Sequence, residues 1–222
     1  MAAVTKKFPV VKTDSLEWVF VTRNQPEDMN ELRRRFHFHP LDLRDVVPPI
    51  QRPKVVPRDG YLFMILLYPI YDRKTRQIGA TEVDFFISRD RLVTVNTDGY
   101  EPLKDLFESC RSNAKERGTC LAGDMSQLMY ALLADALHSV FPMLVHINTD
   151  LDVIEKKLFT QYEKNLIQEL LRIKTNIVNV RKAMQAHRHV IQHLMEAAPA
   201  YFPIRKLDDY FDELVVHTKE IW

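Results

Sequence analysis

LIQELLRIKTNIVNVRKAMQAHRHVIQHL, residues 166–194, decides the architecture. Leu166, Leu170, Ile173, Ile177, Val180, Met184, His187, Ile191 and Leu194 follow at spacings of four and three without a miss. That period lays one apolar seam along a long helix. Upstream, Leu133, Leu137, Val140, Leu144, Ile147, Leu151, Ile154 and Leu158 repeat it. Only the polar stretch 160–165 separates the two series, so they are predicted to fold back as an antiparallel helical hairpin. Pro142 is expected to kink the first helix, and Pro199 and Pro203 to end the second. A third helix is expected from near Ile204, with Leu207, Phe211, Leu214, Thr218 and Ile221 on one face. It reaches Trp222 in mid-pattern without glycine, asparagine or proline to close it, which suggests a truncated chain.

Towards the amino terminus the pattern changes. Trp18–Thr22 is rich in strand formers. Pro26-Glu27-Asp28 opens a short helix and Arg33-Arg34-Arg35 closes it, an order that suits the helix macrodipole. Residues 39–60 hold prolines at 40, 48, 49, 53 and 57 and exclude a long regular element. Strands are predicted at Tyr61–Tyr68, Glu82–Ser88 and Arg91–Thr97, the last two joined as a hairpin by Arg89-Asp90. This half reads as an α/β module with at least partly antiparallel pairing.

Composition narrows the function. With 31 basic and 30 acidic residues the net charge is +1, unlike the footprint of a nucleic-acid binder. There are 5 glycines and no phosphate-loop motif. Cys110 and Cys120 stand apart in a polar stretch, form no CxxC pair, and fit a reducing compartment. The first residues lack the order of a signal peptide. The longest apolar run, Tyr61–Tyr71, is about half of what a bilayer needs, so the chain itself is expected not to span a membrane. No serine, cysteine or lysine sits in a nucleophile motif. Met125, Met129, Met143 and Met184 read as core filler.

Three groups of residues remain as candidate sites. Asp208, Asp209, Asp212 and Glu213 place four carboxylates opposite the apolar seam at the start of the third helix. They either stabilise a helix N-terminus or meet a hard cation, which takes oxygen ligands and keeps several waters; spacing does not decide between these. His189 and His193 have the i,i+4 spacing of a zinc site, but His187 occupies a seam position and no HExxH pattern follows. His37 and His39 would point the same way in an extended segment and, with Asp45, could imitate a hydrolase cluster; the plainer reading is a turn histidine and a packed one.

A more specific signal lies in Phe36-His37-Phe38-His39-Pro40-Leu41-Asp42-Leu43-Arg44-Asp45, followed by Gln51-Arg52-Pro53-Lys54-Val55. This resembles the cytoplasmic domain of the CorA magnesium/cobalt transporter family, whose pattern is HPLxLED and then RPKV, with no gap needed between the two blocks. Tyr61–Leu66 resembles the family's next strand, and Glu82-Val83 with Leu92–Val95 its hairpin. Tyr130–Leu137 resembles the start of its helical hairpin, and Tyr201-Phe202 with Asp208-Asp209 the beginning of its stalk helix. The likeness covers about residues 15–222.

The resemblance implies an α/β fold, an α/β/α sandwich with a mixed sheet, then a long antiparallel helical hairpin and the start of a stalk helix. The expected divisions are 1–122, the α/β domain; 123–198, the hairpin packed on it; and 204–222, the truncated stalk. It implies a cytoplasmic, soluble fragment at the inner face of the cell membrane, with pore helices and their GMN signature beyond Trp222. It implies a pentamer, no nucleic-acid partner and no enzymatic activity. Inter-subunit Mg2+, or Co2+ or Zn2+ as alternatives, would hold the pore closed. By position, Asp45 and Asp209 would share one ion across the subunit boundary, and Asp135 would belong to a second site. Arg44 stands where the family has an acid, removing a carboxylate from that second site. Competing readings are a zinc-transporting relative, a metal-independent hairpin scaffold, and a hydrolase built on His37, His39 and Asp45.

Overall fold

The computed structural model describes residues 8–22, 25–96, 100–121, 123–158, 164–203 and 208–220. Six strands form one sheet: β1 Val10–Lys12, β2 Glu17–Val21, β3 Lys54–Arg58, β4 Tyr61–Asp72, β5 Gln77–Ile87 and β6 Arg91–Val95. Their order is β1-β2-β6-β5-β4-β3, and every pairing is antiparallel except β2 with β6. The predicted strands and the β5–β6 hairpin are present, and the sheet is mixed as expected.

β4 explains the longest apolar run. Its side chains alternate between faces: Leu62, Met64, Leu66 and Tyr68 enter one core, while Tyr61, Phe63 and Ile65 enter another. A strand covered on both sides reads as continuously hydrophobic. β2 divides likewise, Trp18 and Phe20 one way and Val19 and Val21 the other. Trp18 is fully buried and donates its indole N–H to Thr94 Oγ1 at 3.0 Å.

The smaller core is closed by α1, Pro26–Phe36, through Met29 and Leu32, and by α2, Pro40–Asp45, through Leu43. The larger core is closed by α3 Glu101–Ser112, α4 Ala114–Cys120, α5 Met125–His138, α6 Phe141–Leu158, α7 Lys164–Met184, α8 His187–Ala197 and α9 Asp208–Glu220. Helices on both faces make this an α/β/α sandwich. α7 and α8 lie on β4, α6 packs against α7, and α9 packs on α5 and α8.

Each predicted long helix is two helices. The first breaks at Ser139–Val140, just before Pro142, where the expected kink falls. The second breaks at Gln185–Ala186, which no proline or glycine announces. Buried positions still follow the seam at Leu133, Leu137, Val140, Ile147 and Ile154, then Ile173, Val180, Met184, His187, Ile191 and Leu194. Leu170 and Ile177 are exceptions and face outwards. Lys164 and Asn165, read as turn, belong to α7, while 159–163 lie outside the described residues. In the third helix Phe211, Leu214 and Thr218 are buried as predicted; Ile204, Leu207 and Ile221 lie outside the described residues.

The stretch 101–120 is corrected most. It forms α3 and α4, and α3 packs Leu103, Phe107 and Cys110 into the core beside Trp18 and Phe20. Cys110 and Cys120 are both buried and joined by a thiol hydrogen bond, which pushes the Cys110 thiol up and holds the Cys120 thiol down. The helical run Met125–Lys157 contains an 18-residue window of mean hydropathy 1.6, long and apolar enough to cross a bilayer. Its Leu128, Met129, Leu132, Leu133, Leu137 and Val140 nonetheless pack into the core.

Candidate functional site

α2 is short because proline starts it and Val46-Val47-Pro48-Pro49 follows it. His39 caps its first turn, Nδ1 accepting the backbone N–H of Leu41 at 3.2 Å. Asp42 is completely buried beneath it. Arg58 Nε donates to Asp42 at 2.9 Å, and the Tyr61 hydroxyl donates at 2.7 Å while accepting the His39 N–H. The Asp42 carboxylate raises the basicity of the Arg58 guanidinium, and burial raises the pKa of the Tyr61 phenol. This network fixes α2 against β3 and β4.

Asp45 ends α2. Its side chain is 15% exposed, Lys54 Nζ lies 2.5 Å from Oδ2, and the Arg44 guanidinium lies 3.6 Å from Oδ1. Behind Lys54, the carboxyl of Asp84 is pushed well up, first by burial and then by Glu82 beside it, with Lys54 opposing. Glu82 in turn accepts the backbone N–H of Gln51. Arg44 therefore adds positive charge beside Asp45.

Asp209 is exposed in the first turn of α9 and has no ion pair among the described residues. Asp135 lies on α5 in an open groove against α3, with Asp105, Ser109 and His138. Burial raises its carboxyl, Asp105 adds to this, and His138 offsets it. No hydrogen bond or ion pair joins Asp45, Asp209 and Asp135 among the described residues, and no group of three or more metal-ligating side chains forms there. Within one chain α2 and α9 belong to opposite layers of the sandwich.

The histidines divide differently. His187 is fully buried, its ring edge-on to Tyr68, with Nε2 bonded to the Leu67 carbonyl at 2.6 Å. It is a packed residue. His189 and His193 do meet, their rings tilted at 51° with centroids 4.0 Å apart. His37 is not extended: it is the left-handed C-cap of α1, with φ 57°. His37 and His39 line a pocket of about 840 Å³ that Asp45 does not line, so the hydrolase trio is not assembled. Sequence reasoning missed that pocket's arginines, Arg58 and Arg91 with Arg33 and Arg34, because they come together from distant segments.

A family model described as CorA-like Mg2+ transporter protein matches residues 13–221. The cobalt/magnesium transport protein CorA of Thermotoga maritima is 24% identical over 220 residues, 98% of this chain and 61% of that protein. The protein of the same name from Methanocaldococcus jannaschii is 22% identical over 208 residues, 93% of this chain and 63% of that one. The soluble domain of CorA from Methanocaldococcus jannaschii has the same fold, with a TM-score of 0.77 at 20% identity, covering 100% of this chain and 91% of that structure. The chain thus spans just under two thirds of the length of these two transporters. With nearly its whole length matched and its sandwich shared, the chain belongs to the CorA-like Mg2+ transporter family, a family of ion transporters and not of enzymes.

Proposed function

We propose that this chain is the cytoplasmic, divalent-cation-sensing part of a Mg2+/Co2+ transporter, in which ions bound between subunits regulate influx. The observation that carries the reading is the placement of the carboxylates. Asp45 closes α2 on one face of the sheet and Asp209 opens α9 on the other, the latter exposed and without an ion pair among the described residues. A shared ion is then supplied by two copies, one giving each carboxylate, as expected of a pentamer anchored by pore helices outside this chain. We retain the division 1–122, 123–198 and 204–222; each part carries one of Asp45, Asp135 and Asp209.

The cation is regulator and cargo here. Mg2+ keeps much of its water and takes one or two carboxylates, so two aspartates suffice for a weak, reversible site. Binding shifts the assembly only if the ion prefers the arrangement in which both carboxylates converge. Asp135, in its groove against α3, is the second and weaker site of this reading.

Thermal melting under a magnesium titration tests this. The unmodified chain is expected to melt at rising temperature as magnesium is added, and Asp45→Asn combined with Asp209→Asn to lose that rise. An undiminished rise in the double variant removes both residues from the site.

A further inference from the structure

The pocket at the end of α1 is built for negative charge. Arg33 and Arg34 reach it from the last turn of α1, Arg58 from the end of β3 and Arg91 from the start of β6. Its volume, about 840 Å³, lies within the range of small-molecule sites. Asp59 is the one acid in its lining.

The internal partners of these arginines leave much of their donor capacity unused. Arg33 is exposed and has no ion pair among the described residues. Arg34 spends Nε and one amino nitrogen on a single oxygen of Glu31. Arg91 spends Nε on Glu17, at 2.7 Å. Arg58 turns Nε and one amino group to Asp42, leaving the other. A guanidinium carries five N–H donors, so several remain for a guest. His39 adds another: with Nδ1 accepting from Leu41, Nε2 is left to donate.

Four guanidinium groups around one space exceed what a single carboxylate can use. Arginine forks match phosphate oxygens in pairs, and a chain of phosphates carries enough charge to engage several forks together. The aromatic wall is already taken. Guanidinium carbons of Arg35 and Arg91 cover the Phe36 ring at 4.9 and 5.2 Å, and Phe38 is buried. Among the described lining residues no phenyl or phenol ring is left exposed to stack a base, so recognition falls mainly on the phosphates.

We propose that this pocket binds an oligophosphate group through Arg33, Arg34, Arg58 and Arg91. The site stands apart from the carboxylates discussed above and does not depend on the cation reading.

Calorimetric titration of the 222-residue chain with sodium tripolyphosphate, in metal-free buffer, is the test. Saturable binding to one site is expected. Arg33→Glu, at an exposed and unpartnered position, should weaken it at least about tenfold, since charge-assisted hydrogen bonds are lost. Asp59→Asn should tighten it. Sedimentation with phosphatidylglycerol vesicles separates the two sources of phosphate. Tripolyphosphate binding without co-sedimentation supports a soluble oligophosphate, whereas co-sedimentation lost in Arg33→Glu would mean that a lone phosphodiester suffices and would overturn the oligophosphate assignment. Equal affinity in the unmodified chain and Arg33→Glu overturns the proposal, as does an equal response to sulfate at matched ionic strength.

Discussion

His187 shows how one side chain can make a fold sensitive to acid. Burial pushes its pKa down to about 4, and the Leu67 carbonyl, which takes the Nε2 proton, offsets only part of that. The folded protein therefore prefers the neutral ring, while the unfolded chain takes a proton near pH 6.5. Between those values the unfolded state binds more protons, so stability is full above pH 6.5 and falls as pH drops towards 4. The loss is on the order of 3 kcal/mol at the acid end. Melting curves between pH 7 and 4 should show that slope, and His187→Phe should flatten it even where absolute stability changes. An identical slope in the variant would acquit this residue. Its Nδ1 and the neighbouring Tyr68 hydroxyl are both buried without partners, which marks this as a place where the core is already polar and costly.

At the scale of elements, β4 and β5 extend beyond the strands that flank them. β3 reaches only to Ile65 on β4, and β6 only to Asp84 on β5, so 66–72 and 77–83 form a two-stranded arm. Such a ribbon is marginal alone, and α7 supports it. Asn176 accepts the Ile78 N–H and donates to the Arg76 carbonyl, and Asn179 donates to the Ile78 carbonyl. Asn176→Ala should destabilise the fold by about 1–3 kcal/mol and speed amide exchange at Ile78 ahead of the sheet centre. Exchange there unchanged would mean that α7 does not hold the arm. The seam that positions α7 was legible because 3.6-residue periodicity survives in any long helix. The break at Gln185–Ala186 was not, since helix-forming residues continue through it and tertiary packing imposes the bend. α3 could have been read from Leu103, Leu106, Phe107 and Cys110, whose spacing is helical. The Asp59-Gly60 pair, with Gly60 at φ 78°, is a hairpin signal that places β3 beside β4. Pro57 is tolerated in β3 because the strand lies at the sheet edge.

For the whole molecule, the six-residue α2 sits between two charged regions. His39 and Pro40, at its start, line the arginine pocket, and Asp45 ends it beside Lys54. The α/β module and the helical seams were legible from residue patterns, while the sandwich and the role of Asp45 were implied by the resemblance that the HPL and RPK blocks carry, the second block holding Lys54. The contact between Asp45 and Lys54 was not legible, because sequence order does not show which side chains meet across α2 and β3. If copies share an ion, sedimentation velocity should show a larger species in millimolar magnesium that reverts on chelation. A mass independent of magnesium would leave the carboxylates of neighbouring copies unlinked. Lys54 is a positively charged guest tethered to its own host, present at a local concentration that dilution cannot lower. On the proposed reading an ion shared at Asp45 would have to evict it, so the length and basicity of that one arm would help to set how much dication is needed before Asp45 changes hands.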